Sequence, residues 1–158
     1  MTTLTIRRHA ASVGLFLAGA AVAQAHGVKT KMIEIVHPWT YETTGVLEPS
    51  APVYMKIKNR GRQSDRLLGA VTERATAVEL HDAPRPGSGM TQRVAAIEIK
   101  AGEDVELSPS GLTLQLSGVK KVFSAYDTFT MTLTFERSGR VEIEVLVEES
   151  TAVAPHKY

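Results

Sequence analysis

An all-β fold in a single domain is the class this sequence predicts, and three observations predict it. Apolar and polar residues alternate with period two, turn formers recur at short intervals, and no amphipathic helical pattern follows residue 26. Taken in order, the strand candidates are 32–37, 52–59, 65–72, 76–82, 92–99, 103–108 and 112–117, separated by Gly, Pro, Asn or Asp turns. The clearest pair comes last. "FTMTLTFE" puts Phe129, Met131, Leu133 and Phe135 on one face and Thr130, Thr132, Thr134 and Glu136 on the other. The turn at Ser138-Gly139 and the run "RVEIEVLV" (140–147) then close a β-hairpin. About nine short strands of this kind predict an antiparallel sandwich or a Greek-key barrel. Glu142, Glu144 and Glu148 read as a solvated edge of that hairpin.

The start of the chain has a different character. Arg7 and Arg8, the apolar run "VGLFLAGAAVA" and Ala23-Gln24-Ala25 follow one another as the parts of a secretory signal peptide do, which predicts export with cleavage after Ala25. No later stretch approaches the ~20 apolar residues of a membrane-spanning helix, so no stable membrane insertion is expected. The expected organisation is a leader at 1–25, one domain at 26–150 and a loose tail at 151–158. Removing the leader with its two arginines leaves 16 basic against 17 acidic residues. That balance gives no reason to expect nucleic acid or an anionic membrane as partner. The chain has no cysteine, which excludes disulfides, thiol catalysis and thiolate metal binding. It also lacks a Gly-rich phosphate loop, His-Glu-x-x-His and Gly-x-Ser-x-Gly, so it is read as a non-enzyme.

Strand parity then sorts the polar residues. In "AVELHD", Val78 and Leu80 share one face, which leaves Glu79 and His81 on the other. In "LTLQLS", Leu112, Leu114 and Leu116 point inward, and Thr113 and Gln115 are expected outward, toward solvent. His37, before Pro38 and Trp39, is expected in an extended backbone with its ring packed against the aromatic residue. His156 falls in the tail and carries no weight.

Several pieces of the chain resemble the periplasmic copper chaperones of the PCu(A)C type. They are His-Pro-Trp at 37–39, Tyr-x-x-Ile-x-Asn at 54–59, Asp-Arg-Leu at 65–67, Glu-Leu-His at 79–81, Ala-Gly at 101–102 and Leu-Thr-Phe-Glu with a following Gly at 133–139. The resemblance implies a cupredoxin-like Greek-key barrel. It further implies Cu(I) as the bound ion, a location in the periplasm, and delivery of copper to a cytochrome oxidase subunit or another copper chaperone by a monomeric carrier. The family holds Cu(I) through a His, a Met and a later His-x-Met, soft neutral donors suited to that ion. His81 falls on the first histidine. The later His-x-Met falls on Thr113-Leu114-Gln115, so both of those ligands are replaced. The family spacing places the middle methionine on Thr91, with Met90 one residue away in the Pro/Gly loop. His81 and Met90 are therefore the expected copper ligands of a degenerate site. Two alternatives stand beside that reading: a metal-free interaction module of the same fold, and a Cu(II) site at His26, whose free amine and imidazole can chelate together once the leader is cut.

Overall fold

β-branched and aromatic residues recur at period two along the chain, and among the described residues they form ten strands and no helix. The computed structural model describes residues 28, 30, 32–43, 47–82 and 91–150. In chain order the strands are β1 (Ile33–Tyr41), β2 (Ser50–Asn59), β3 (Asp65–Val71), β4 (Ala77–Asp82), β5 (Gln92–Arg93), β6 (Ile97–Ile99), β7 (Asp104–Leu107), β8 (Thr113–Ser117), β9 (Thr128–Phe135) and β10 (Gly139–Glu148). They lie in the order β5-β4-β8-β2-β1-β10-β9-β3-β6, with β7 also paired to β2. The expected leader, His26, Met90 and the tail at 151–158 lie outside the described residues.

The sheet curls because β2 serves two neighbours along one edge. Its first half, Ser50–Val53, pairs with β8, and its second half, Met55–Lys58, pairs with β7. The curl brings β3 and β4 together at a seam. Inside it lies one continuous apolar core that includes Ile33, Ile35, Val53, Met55, Leu114, Leu116, Met131 and Phe123. The expected all-β barrel is borne out, and the hairpin of β9 and β10 has the predicted faces and turn. Gly139, at φ 72°, supplies the left-handed residue that a three-residue hairpin loop needs.

Three expectations are corrected. The run 92–99 breaks into two short strands, β5 and β6, with Val94–Ala96 between them, and its first part joins β4 while its second joins β3. The sheet is not wholly antiparallel, since β1 and β10 pair in parallel. His37 is not extended: its φ is 50°, in the left-handed region that histidine visits more readily than most residues.

That left-handed residue has a consequence for the whole first strand. Val36 pairs with Lys56 and Trp39 with Tyr54, so three steps along β1 match two along β2. The extra residue is a β-bulge, and it reverses the side-chain parity beyond it. Ile33 and Ile35 face the core, whereas Trp39 emerges on the opposite face beside Tyr54. The His37 ring is held by Glu148, with Nε2 2.7 Å from Oε1, and lies 6.4 Å from the Trp39 ring. Glu148 is thus a partly buried tie between β10 and β1 and not part of a solvated edge; Glu142 and Glu144 are exposed as expected.

The opposite end of the barrel is closed by a buried carboxylate. Asp65 accepts from the amides of Arg66, Arg137 and Ser138 and from the Ser138 hydroxyl, which fixes the β9–β10 turn to the start of β3. Burial pushes its carboxyl up, but the Ser138 hydroxyl and the three amides outweigh that and hold it below the usual carboxylate range. Asn59 does the same work nearby, donating to the carbonyls of Gln63 and Ile99 and accepting from the Gly61 amide. These two residues give a structural reason for the Asn at 59 and the Asp at 65 in the quoted motifs.

Candidate functional site

β4 and β8 carry the residues that the sequence singled out, and their register brings them side by side. His81 pairs with Thr113 and Glu79 with Gln115. Leu80 and Leu114 form the intervening pair and point into the core, so the four polar residues share the outer face. The close contact at the far end of this pair locks its register. Gly118 sits at φ 63° directly against Thr76, where an added Cβ would come within 2.5 Å of the threonine hydroxyl, and the Thr76 amide donates to the Ser117 carbonyl. A side chain at 118 would push the start of β4 away from β8.

The row continues on both sides of His81. Arg93 of β5 pairs with His81, and Tyr54 of β2 lies next to Thr113, one step beyond the Val53–Leu114 pair. Trp39 follows on β1. Across five strands the outer face therefore reads Trp39, Tyr54, Thr113, His81, Arg93. The aromatic end forms a small cluster of its own, with the ring of Trp39 4.8 Å from both Tyr41 and Tyr54. Burial, reinforced by the neighbouring Tyr41, pushes the Tyr54 hydroxyl up to about 12, so it stays a neutral donor at any physiological pH.

His81 is fully engaged. Its Nε2 lies 3.2 Å from Glu79 Oε2, and its Nδ1 lies 2.9 Å from the Thr91 hydroxyl. A carboxylate can only accept, so Nε2 donates to Glu79, while Nδ1 meets the Thr91 hydroxyl, which can donate or accept. The other oxygen of Glu79 is 3.0 Å from Arg93 Nη1. Thr113 is different. It is only 7% exposed, and its hydroxyl is a buried polar atom with no hydrogen-bond partner among the described residues. The expectation that Thr113 lies open to solvent is therefore corrected: it is on the outer face, as parity requires, but that face is covered at this point.

Of the expected site residues, the structure places His81 in this row between Thr113 and Arg93, while Met90 and His26 lie outside the described residues. Thr91, the residue that the family spacing selects, is in direct contact with the His81 ring. Thr91 and Thr113 thus adjoin His81, Gln115 lies opposite Glu79, and among the described residues no group of three His, Cys, Asp or Glu could hold a metal ion. Sequence reasoning missed two participants. Tyr54 could have been found, because Val53 and Met55 on either side of it are apolar and parity sends it outward. Arg93 could not, since β5 is too short to have a readable pattern.

Comparison with known proteins matches the same architecture. The sequence profile of the family described as "Putative lipoprotein LpqE-like" covers residues 33–147, most of the chain. The chain belongs to the LpqE-like family. It is 24% identical over 146 residues to a protein of Leifsonia xyli subsp. xyli named "Putative lipoprotein Lxx21020", covering 88% of this chain and 86% of that one. Among solved structures it is similar to the copper-bound PCuAC domain from PmoF2, with a TM-score of 0.68 and 28% identity over 78% of this chain and 98% of that domain. The apo PmoF2 PCuAC domain, at 30% identity, is covered completely. The Cu(I) form of DR1885 from Deinococcus radiodurans has a TM-score of 0.61 at 23% identity, covering 84% of this chain and 86% of that one, a likeness of fold. The resemblance to copper chaperones of the PCu(A)C type, first carried by short motifs, is borne out along the domain.

Proposed function

We propose that this LpqE-like protein is an exported copper carrier of the PCu(A)C type, a non-enzyme, whose cargo is held at His81 with a reduced ligand set and passed to a partner protein. The observation that carries the reading is the register of β4 and β8, which sets His81 directly opposite Thr113, with Thr91 on the ring nitrogen. Three of the four positions that hold Cu(I) in the family meet here in space, and the fourth, Gln115, is two residues along the same strand. Their replacement by two hydroxyls and an amide removes the soft donors. Retention of Cu(I) is accordingly weaker than in a full His/Met set, which suits release to an acceptor such as an oxidase subunit or a second chaperone. Cleavage after Ala25 would deliver the carrier to the periplasm as a monomer, with His26 as its first residue. Met90 is a secondary donor in this reading, since Thr91 occupies the family position.

The test is a competition titration of the mature protein against a Cu(I) chelator, with His81→Ala alongside. Measurable Cu(I) binding that His81→Ala abolishes supports the proposal. No Cu(I) binding at all would turn the reading to a metal-free docking module, and Cu(II) binding lost only on His26→Ala would move it to the amino terminus.

A further inference from the structure

The His81 face holds a donor set of a different chemical class from the soft one its fold accommodates. Its members are an imidazole, a carboxylate, an amide and two hydroxyls. Glu79, absent from the family's ligand set, is the residue in closest touch with the histidine on the same strand. We infer that His81 Nε2 and Glu79 Oε2 form a site for a divalent cation of the Zn²⁺ or Cu²⁺ class, with Thr113 as a neutral oxygen donor. The inference rests on the placement of cargo at His81 in the reading above and specifies which ion that placement favours.

Three observations support it. First, the two atoms are 3.2 Å apart. With metal–donor distances of about 2.0–2.1 Å, that separation subtends an angle of about 100° at a shared ion, close to a tetrahedral or square-planar corner. The ion would replace the proton on Nε2, and neither side chain would have to move far. Second, Arg93 takes only Oε1 of Glu79 and leaves Oε2 facing the ring. The arginine orients the carboxylate as outer partners of metal ligands commonly do. Third, the Thr113 hydroxyl, directly across from His81, is buried without a partner among the described residues. A buried hydroxyl in that state is costly unless something accepts its lone pair or its proton. A cation between His81 and Glu79 would use that lone pair. An oxygen-rich set with one imidazole prefers a borderline divalent ion to Cu(I), whose affinity depends on thioether or thiolate donors.

The experiment uses the mature chain carrying His26→Ala, so that no amine–imidazole chelate exists at the amino terminus. Zn²⁺ and Cu²⁺ are titrated by calorimetry, Cu²⁺ also by electron paramagnetic resonance, and Cu(I) by chelator competition, in this background and with Glu79→Gln, His81→Ala or Thr113→Val added. Divalent binding at one equivalent should weaken by about tenfold or more with Glu79→Gln and disappear with His81→Ala, while Cu(I) binding should be indifferent to Glu79→Gln. The Cu²⁺ spectrum should report one nitrogen among oxygen donors. Cu(I) binding through His81 together with divalent binding that ignores Glu79→Gln would overturn this inference and leave the copper-carrier reading standing. Absence of both would overturn both. Divalent binding that needs Glu79, with no Cu(I) binding, would uphold the inference and remove Cu(I) as the cargo.

Discussion

The two ends of this barrel treat buried polar atoms in opposite ways. At the hairpin end, Asp65 is surrounded by four donors that fix the β9–β10 turn, and Asn59 satisfies a carbonyl on each side of it. On the β4–β8 face, the Thr113 hydroxyl is covered without a partner among the described residues, and His81 is held only by a carboxylate and a hydroxyl. A carboxylate whose bonds go to three backbone amides and a hydroxyl stabilises the fold and has nothing left for a ligand, whereas an imidazole held by two side chains can exchange either of them. A group left short is destabilising by itself and is the natural place for something else to bind. The contrast separates the residues that build this fold from those available for its chemistry.

The largest expected effect comes from breaking the closed end. Asp65→Ala should cost about 3 kcal/mol of stability, since it strands three amides and a hydroxyl in a partly buried turn. Denaturant unfolding measures it, and a loss below about 1 kcal/mol would mean that water replaces the carboxylate. The same group fixes a pH dependence. Its folded carboxyl is held below the ordinary value, so its contribution is complete above the unfolded pKa of about 4 and is lost as the pH falls through the folded value. The unfolding midpoint should decline on acidification below about pH 4 in the wild type, and Asp65→Asn should flatten that part of the curve.

Rebuilding the open face comes next in size. Thr91→Met with Thr113→His and Gln115→Met places soft donors at the two positions beside His81 and at one further along the same outer face. Cu(I) affinity should rise by at least about tenfold, a change visible in chelator competition. Because Thr113 is covered, the larger imidazole should also lower stability by about 1–3 kcal/mol, more than a surface substitution would. A folded triple variant with unchanged affinity would break the proposed equivalence of these positions. If Met90→Ala cancels the gain while Thr91 is restored, the loop methionine and not residue 91 is the donor.

Two smaller changes sharpen the comparison. Thr113→Val removes an unpartnered hydroxyl at nearly constant volume and should stabilise the ion-free protein by about 1 kcal/mol, read as a higher midpoint. Its failure to do so would show the hydroxyl to be satisfied in solution. His37→Gly should cost little backbone strain at φ 50°, whereas His37→Val should cost about 1–2 kcal/mol more than glycine does. Equal losses would place the role of His37 in its bond to Glu148 and not in the bulge.

Much of this molecule was legible in its residues. Alternation in "FTMTLTFE" and "RVEIEVLV" identified the hairpin and its buried face, because a side-chain period of two is a local property of any strand. The same parity turned Glu79 and His81 away from the core on their strand and Thr113 and Gln115 away from it on theirs, and the short motifs identified the family. Parity along one strand cannot say which strand lies beside it. Only the folded sheet decided that His81 faces Thr113, that Arg93 reaches Glu79 and that Thr113 is covered. Nor could alternation place Trp39, which by simple counting from Ile33 and Ile35 belongs in the core. One left-handed residue at His37 inserts an extra step and turns Trp39 onto the outer face beside Tyr54. Local pattern is fixed by the geometry of a single strand, whereas register and bulges are fixed by the hydrogen bonds between strands, and those exist only once the chain has folded.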